Sequence, residues 1–381
     1  MRYQDYIDNM DSEKIRIHIS SKRLLSQKVE KPVLMLSHNL SVTGAPIALL
    51  SMAKILMKNK CQVFIVSLLS GDILEEFLNI DAVVLICADR NIDMIWLKKS
   101  AELFPAVVIN TLVLAPLVSW LAPVSKKLFW WIHESDYFFR ELKYDNIPEC
   151  SSLHILAASP KVSGLIHEHM GRSSDVLNVM VEDHDIKADR SQENRILHFL
   201  WTGFINANKM PELLLQAVLE LPEDYRKRAD FTFCGDGIDE ARKNLLRECA
   251  DAFPDIFYLS YLPHDQLMEL MSGMDAVVVC SKEETTSLVA VEGLMLKKIV
   301  ICSDGCGIAD YLHDGENAFL FPAGKHDRLC RKIEQVIDHY HDFSEIGKKG
   351  RLVYERYYKE EIFEKRVWDL LGVSELAVVS Q

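Results

Sequence analysis

Short apolar runs alternate with amphipathic stretches along nearly the whole chain. The first series of runs lies at residues 32–37 (PVLMLS), 62–68 (QVFIVSL), 82–87 (AVVLIC), 106–110 (AVVIN), 128–132 (LFWWI), 155–159 (ILAAS) and 176–180 (VLNVM). A second series lies at 196–203, 230–235, 256–260, 276–281, 298–303 and 318–322. Near-continuous Val, Ile and Leu, rather than strict alternation, predicts parallel strands covered on both faces. The stretches between them, such as PIALLSMAKILMKN and PELLLQAVLEL, carry helical spacing. Strand and helix in alternation predict doubly wound α/β sheets. The polar stretch at 182–194 separates the two series. The expected architecture is therefore two Rossmann-like domains, residues 1–185 and 186–358, facing a central cleft. A last segment, 359–381, holds a helix and a tail. Residues 1–30 precede the first clear strand and receive no assignment beyond a charged, partly helical lead-in.

Residues 103–125 carry no charge and are long enough to cross a bilayer. They also contain Asn110, Thr111, Ser119 and three prolines, which would leave backbone groups unpaired in lipid. The stretch reads better as a buried strand followed by a short buried helix. The 381 residues carry a net charge of −13, which disfavours nucleic acid as a partner. Most of that charge falls in the second half, −10 against −3 for residues 1–185. The near-neutral first half, with its lysine groups at 54, 58 and 60, 98 and 99, and 126 and 127, leaves room for peripheral attachment to an anionic membrane. Nine cysteines without a C-x-x-C pair suit buried thiols in a reducing compartment. The first residues are too polar for a secretory signal, so a cytoplasmic location is expected.

Candidate chemistry sits after the strands. Gly44 and Pro46 lie in a strand-to-helix turn, TGAP, where helix N–H groups can hold a phosphate; a tight turn chosen for packing explains them equally well. Glu284 and Glu292 lie eight residues apart in KEETTSLVAVEGLML. Glu284 falls at a predicted helix mouth and Glu292 within an apolar helical run. A carboxylate there needs a partner, and sugar or ribose hydroxyls qualify; a solvent-facing Glu292 is the plain alternative. The N–H groups at Thr286, Ser287 and Leu288 could hold a phosphate. His133 ends one strand, Lys209 lies in the loop after another, and Gly235 opens a glycine turn after FTFC. Each of these three has an ordinary surface or turn reading when taken alone. The EDHD cluster at 182–185 reads as solvated linker rather than a metal site.

Together these positions resemble the retaining glycosyltransferases of the GT-B fold, family 4. The likeness covers residues 32–372 and is densest in SKEETTSLVAVEGLMLKKIVICSDGCGIADYLHDGENAFLFP. That run looks like the family's Ser-x-x-Glu, seven residues, Glu-Ala/Gly-Met, a strand, Gly-Gly-x-x-Glu and Asp-Gly-x-Asn-Gly-x-Leu. The resemblance implies that Glu284 holds donor-sugar hydroxyls and Glu292 the nucleotide ribose. It implies diphosphate contacts from Gly44, Lys209 and the backbone at Ser287 and Leu288. His133 would stand beside the reacting sugar as a catalytic residue with Glu284. Tyr261 and Leu262 would meet the base, and the last helix would return to brace the first domain. No cofactor or metal is implied, because Lys209 and helix N-termini would neutralise the leaving diphosphate. The implied partners are a nucleotide-sugar donor and a saccharide or lipid-linked saccharide acceptor, as in bacterial surface polysaccharide or glycoconjugate synthesis. Phe204 and Asn208 stand where the family often has arginine. Thr285, Asp310 and Cys306 are further departures. A sugar-nucleotide 2-epimerase and a non-catalytic partner subunit share the same architecture and remain alternatives.

Overall fold

A computed structural model describes residues 15–20, 29–87, 92–184, 196–340 and 344–372. The chain divides into two compact units. One runs to Met180 and resumes at Phe363; the other is Val181–Ile362. The division thus falls before the polar stretch at 182–194. Val181 N–H donates to the Tyr358 carbonyl at 3.0 Å, and Arg351 donates to both Asp183 oxygens, which ties this strand exit to the second unit. Residues 185–194 of that stretch lie outside the described residues, as do residues 1–14 and the tail from 373.

The first unit contains β1 (Ile15–His18), β2 (Pro32–Ser37), α1 (Gly44–Lys58), β3 (Gln62–Ser67), α2 (Leu74–Asn79), β4 (Val83–Cys87), α3 (Met94–Leu103) and β5 (Ala106–Asn110). It continues with α4 (Ala115–Leu121), β6 (Leu128–Ile132), α5 (Asp136–Glu141), β7 (Leu153–Ala157), α6 (Pro160–Met170) and β8 (Asp175–Val176). The strands order as β1-β4-β3-β2-β5-β6-β7-β8. All neighbours are parallel except β1, which runs antiparallel along β4 with Ile15 opposite Cys87. β2 to β6 are buried throughout, apart from Gln62 at the start of β3, as their unbroken apolar runs require. Local chemistry sets the helix starts. The Asp93 carboxylate accepts from Ile95 and Trp96 N–H to open α3, and the Ser159 hydroxyl accepts from Val162 N–H ahead of Pro160 in α6. Residues 103–125 form the end of α3, buried β5, a single 3-10 turn and α4. Among the described residues no helix is long and apolar enough to cross a membrane.

The second unit contains β9 (Leu197–Thr202), α7 (Pro211–Glu220), α8 (Glu223–Arg226), β10 (Ala229–Cys234), α9 (Glu240–Ala252), β11 (Ile256–Leu259) and α10 (His264–Ser272). Then come β12 (Ala276–Val279), α11 (Leu288–Met295), β13 (Ile299–Ser303), β14 (Phe319–Phe321), α12 (His326–His339) and α13 (Ser344–Tyr357). The all-parallel sheet orders as β11-β10-β9-β12-β13-β14. α14 (Glu360–Leu371) enters the first unit at Phe363.

Both sheets place the first parallel strand of the unit beside the fourth. Strand order therefore reverses between β2 and β5 in one unit and between β9 and β12 in the other. Successive helices leave toward opposite faces at such a point, which opens a crevice at the strands' carboxyl ends. In the second unit the opening starts early, because β9 and β12 pair only at Phe199–Ala276 and Leu200–Val277.

Candidate functional site

In the second unit, the loops after β9 and β12 meet above that crevice. Met210 adopts a left-handed conformation, φ 47°, immediately before Pro211 starts α7, and this turns the preceding loop back toward β12. The Asn206 side-chain oxygen accepts from Asn208 N–H at 2.9 Å and Lys209 N–H at 2.8 Å. Lys209 then reaches Glu284, Nζ to Oε2 at 2.7 Å, with both side chains largely buried. The other Glu284 oxygen accepts from the Ser281 hydroxyl. The Glu284 backbone is held on both sides, its N–H by Gly305 O at 3.1 Å and its carbonyl by Gly307 N–H at 2.9 Å. A Cβ on Gly305 would lie 2.2 Å from the Lys282 carbonyl, so only glycine allows this approach.

Asn208 explains one departure from the family pattern. Its Nδ2 donates to the Glu283 carbonyl at 2.8 Å, its Oδ1 accepts from Glu283 N–H at 3.1 Å, and its carbonyl accepts from Lys282 N–H at 2.7 Å. It joins the lysine loop to the glutamate loop. An arginine side chain has no acceptor with which to receive the Glu283 N–H.

Ser287 caps α11 at φ 87° and ψ 91°, a conformation that L residues rarely adopt. It is buried, and its hydroxyl has no hydrogen-bond partner. Strain together with an unsatisfied buried hydroxyl, just where the helix presents its free N–H groups, makes Ser287 a candidate functional residue. Ser287→Gly should raise stability by about 1–2 kcal/mol, because glycine tolerates the positive φ and removes the orphan hydroxyl. Chemical denaturation checks this, and an unchanged or lower midpoint would show that the serine is not strained.

Glu292 sits just over one turn into α11 and is buried. The sequence argument that it needs a partner is met within the protein. His264, the first residue of α10, places Nε2 2.9 Å from Glu292 Oε1. This contact holds the imidazole above its ordinary pKa. The His184 ring packs edge-on against it at 5.8 Å. His264 was invisible to sequence reasoning, because a histidine after Pro263 at a helix start has many ordinary explanations. Tyr261 is 70% exposed just ahead of it, and Leu262 packs partly into the core that includes Met268. Gly235 has a structural reason of its own: a Cβ there would lie 2.0 Å from the Gly203 carbonyl. The EDHD cluster is split in role, since Asp183 is paired with Arg351 and His184 N–H donates to the Met295 sulfur at 3.1 Å.

In the first unit, His133 follows β6 and its Nε2 lies 2.8 Å from Asn110 Oδ1. Asn110 ends β5 and its Nδ2 donates to the Ala45 carbonyl in the first turn of α1 at 2.9 Å. Gly44 opens that helix, and a Cβ added there would meet nothing within 4 Å. Packing inside the protein therefore does not call for glycine at 44. Thr111 follows Asn110 at φ 87° and ψ 153°, a strained conformation for a β-branched residue. Its hydroxyl meets His38 Nδ1 at 3.2 Å, while its N–H and carbonyl bond Trp131 O and the Trp130 indole. Glu134 is buried and its carboxylate accepts the backbone N–H groups of Leu112 and His133, fastening the two strand ends together. Burial pushes its pKa up to about 7, and those hydrogen bonds limit the rise. Burial, with a smaller contribution from His38, pushes His133 down to about 3, so its imidazole is neutral at physiological pH.

The sequence matches the family described as Glycosyl transferases group 1 over residues 183–353 and Glycosyl-transferase family 4 over residues 29–160. A curated relative from Campylobacter jejuni, GalNAc-alpha-(1->4)-GalNAc-alpha-(1->3)-diNAcBac-PP-undecaprenol alpha-1,4-N-acetyl-D-galactosaminyltransferase, is 25% identical over 202 residues. That match spans 53% of this chain and 54% of the relative, so the chain spans about half the length of the curated relative it matches. The crystal structure of Anabaena HepE in complex with UDP and glucose superimposes with a TM-score of 0.73 at 14% identity, covering 90% of this chain and 100% of that one. The lipopolysaccharide outer core galactosyltransferase WaaB, in its apo form, gives 0.71 at 16% identity, covering 90% and 99%.

Proposed function

Because this chain belongs to the group 1, family 4 glycosyltransferases and has their GT-B fold of two Rossmann-like domains, we propose that it transfers a sugar from a nucleoside diphosphate donor to a saccharide or lipid-linked saccharide acceptor, with retention at the anomeric carbon. The observation that carries this reading is the cluster at the second sheet's reversal point. There Lys209 meets Glu284 beside the N-terminus of the helix, α11, that carries Glu292. Glu292 accepts hydrogen bonds from the ribose, and Glu284 from the sugar. Lys209 and the N-terminus of α11 stabilise the negative charge that grows on the leaving diphosphate. In the first unit, Gly44 leaves the start of α1 open to an anion, and His133 is assigned to a sugar hydroxyl. Tyr261 and Leu262 meet the base. No protein nucleophile is needed, since positioning and charge stabilisation supply the acceleration.

The UDP and UDP-glucose complexes of HepE support a nucleotide-sugar donor. An acceptor on a lipid carrier is supported by the Campylobacter relative, which by its name acts on an undecaprenol-linked saccharide. Such an acceptor places the reaction at the cytoplasmic face of the membrane in surface glycoconjugate synthesis. The exposed Lys54, Lys60, Lys98, Lys99 and Lys126 give the first unit a means of peripheral attachment there.

Glu292→Ala tests the reading directly. It should weaken free nucleoside diphosphate and nucleotide sugar alike by about 1–3 kcal/mol, the effect of leaving ribose hydroxyls without a charged acceptor. Thermal stabilisation by a panel of nucleotides, followed by calorimetry on the best ligand, reads both. Equal affinity in the wild type and a folded variant would remove Glu292 from the nucleotide site.

A further inference from the structure

His133, Asn110 and Ala45 form a chain of hydrogen bonds whose direction is fixed by chemistry. The Ala45 carbonyl can only accept, so the Asn110 amide nitrogen must face it, at 2.9 Å. The Asn110 oxygen then faces His133, and the ring nitrogen 2.8 Å away must carry a proton to complete the bond. Asn110 is itself fully buried at the end of β5, beside strained Thr111, and cannot rotate its amide without losing both partners. We propose that Asn110 is the positioning residue for His133, holding its imidazole neutral with the proton on Nε2 and presenting Nδ1 as an unprotonated acceptor. The titratable groups that bear on the ring are His38, whose Nδ1 is engaged with the Thr111 hydroxyl, and Glu134, whose carboxylate is engaged with backbone N–H groups including that of His133. Neither accepts a proton from Nε2, so the tautomer is set by Asn110.

For the reaction this rests on the transferase reading above. Retaining transfer develops positive charge at the anomeric carbon, and a protonated imidazole beside it would oppose that charge. A neutral ring with a free Nδ1 can instead accept a hydrogen bond from a hydroxyl of the donor sugar. The same amide ties His133 to the first turn of α1, so the ring and the helix start are held by one side chain.

Nitrogen-15 NMR of histidine-labelled full-length protein decides the tautomer, with His133→Gln identifying the His133 signals. The expected result at neutral pH is a neutral ring protonated on Nε2. In Asn110→Asp the carboxylate should favour the imidazolium, so that His133 titrates at a distinctly higher pH than in the wild type. A wild-type ring that is protonated on Nδ1 or cationic at neutral pH would overturn the proposal. So would a folded Asn110→Asp variant whose His133 titration is unmoved. The wild-type spectrum decides alone should that variant not fold. No donor or acceptor enters these measurements, so a failed transfer assay leaves this result standing, and a wrong tautomer leaves the transferase reading standing.

Discussion

Lys209→Ala is expected to lower kcat/KM for sugar transfer by about 10²–10³-fold, the usual effect of removing one preorganised group aimed at developing charge. The size follows from what surrounds the lysine. Phe204, in one position where the family often carries arginine, is half exposed and uncharged. Asn208, in the other, is committed to joining two loops. Neither can take over the charge on a leaving diphosphate. The fold should survive the change, because Glu284 keeps its bond to the Ser281 hydroxyl and its loop keeps the backbone bonds to Gly305 and Gly307. Lys209→Arg retains the charge but not the compact ammonium geometry, and should fall between the two. Steady-state transfer rates, together with donor affinity, distinguish lost charge stabilisation from simple loss of binding. If Lys209→Ala stays within about threefold of the wild-type kcat/KM, the lysine does not serve the leaving group.

How far this site could be read in advance depended on whether its parts are local in sequence. Glu284 and Glu292 share one loop and helix, so their spacing was enough to single them out. Lys209 needed only the strand before it and the proline after it. The meeting of Lys209 with Glu284, by contrast, comes from strand order, since β9 and β12 are neighbours although two strands intervene in the chain. Spacing could not announce that Lys209 touches Glu284, or that Asn208 bonds Glu283. His264 and Asn110 were missed for the same reason: each is an ordinary residue locally, and each acquires its role from a partner far away in sequence. The strain at Ser287 and Thr111 is a property of the backbone, to which residue type gives no clue when neither is glycine.

The strands were legible wherever both faces are covered, because burial then demands an unbroken apolar run. β1 escaped because IRIH lies at a sheet edge with two exposed positions, and its antiparallel course breaks the alternation seen elsewhere. The apolar run at 176–180 predicts a full strand that the structure does not form. Only Asp175 and Val176 form the strand beside β7; Leu177 N–H still reaches the Ala157 carbonyl at 2.9 Å, but its own carbonyl turns away to accept from the Trp131 indole at 3.1 Å.

Phe363→Ala should destabilise the first unit by about 3–5 kcal/mol, a large part of the 5–15 kcal/mol by which domains are commonly stable. Phe363 is buried and stacks on Trp131 with ring centroids 6.0 Å apart. Trp131 in turn packs against the His133 ring at 4.5 Å, so one aromatic column runs from α14 to His133 at the end of β6. The helix is further fixed by Glu364, which accepts from Lys58 at 3.0 Å and Asn59 at 2.7 Å, and by Arg366, which donates to the Val176 carbonyl at 3.0 Å. Those polar contacts lie nearer the surface and contribute about 0–1 kcal/mol each. The apolar side chains therefore dominate, and a chain ending before Glu360 loses Phe363, Val367 and Leu371 together. At about 1.5–3 kcal/mol for each buried side chain, that truncation approaches the whole stability of a typical domain. The truncated protein should have an unfolded or aggregating first unit, whereas Phe363→Ala should fold with a lowered denaturation midpoint and a loosened His133. Chemical denaturation followed by tryptophan fluorescence reads the first effect, with Trp131 as a local reporter. Histidine NMR reads the second. A Phe363→Ala change of less than about 1 kcal/mol would mean that the returning helix is a surface attachment rather than part of this core.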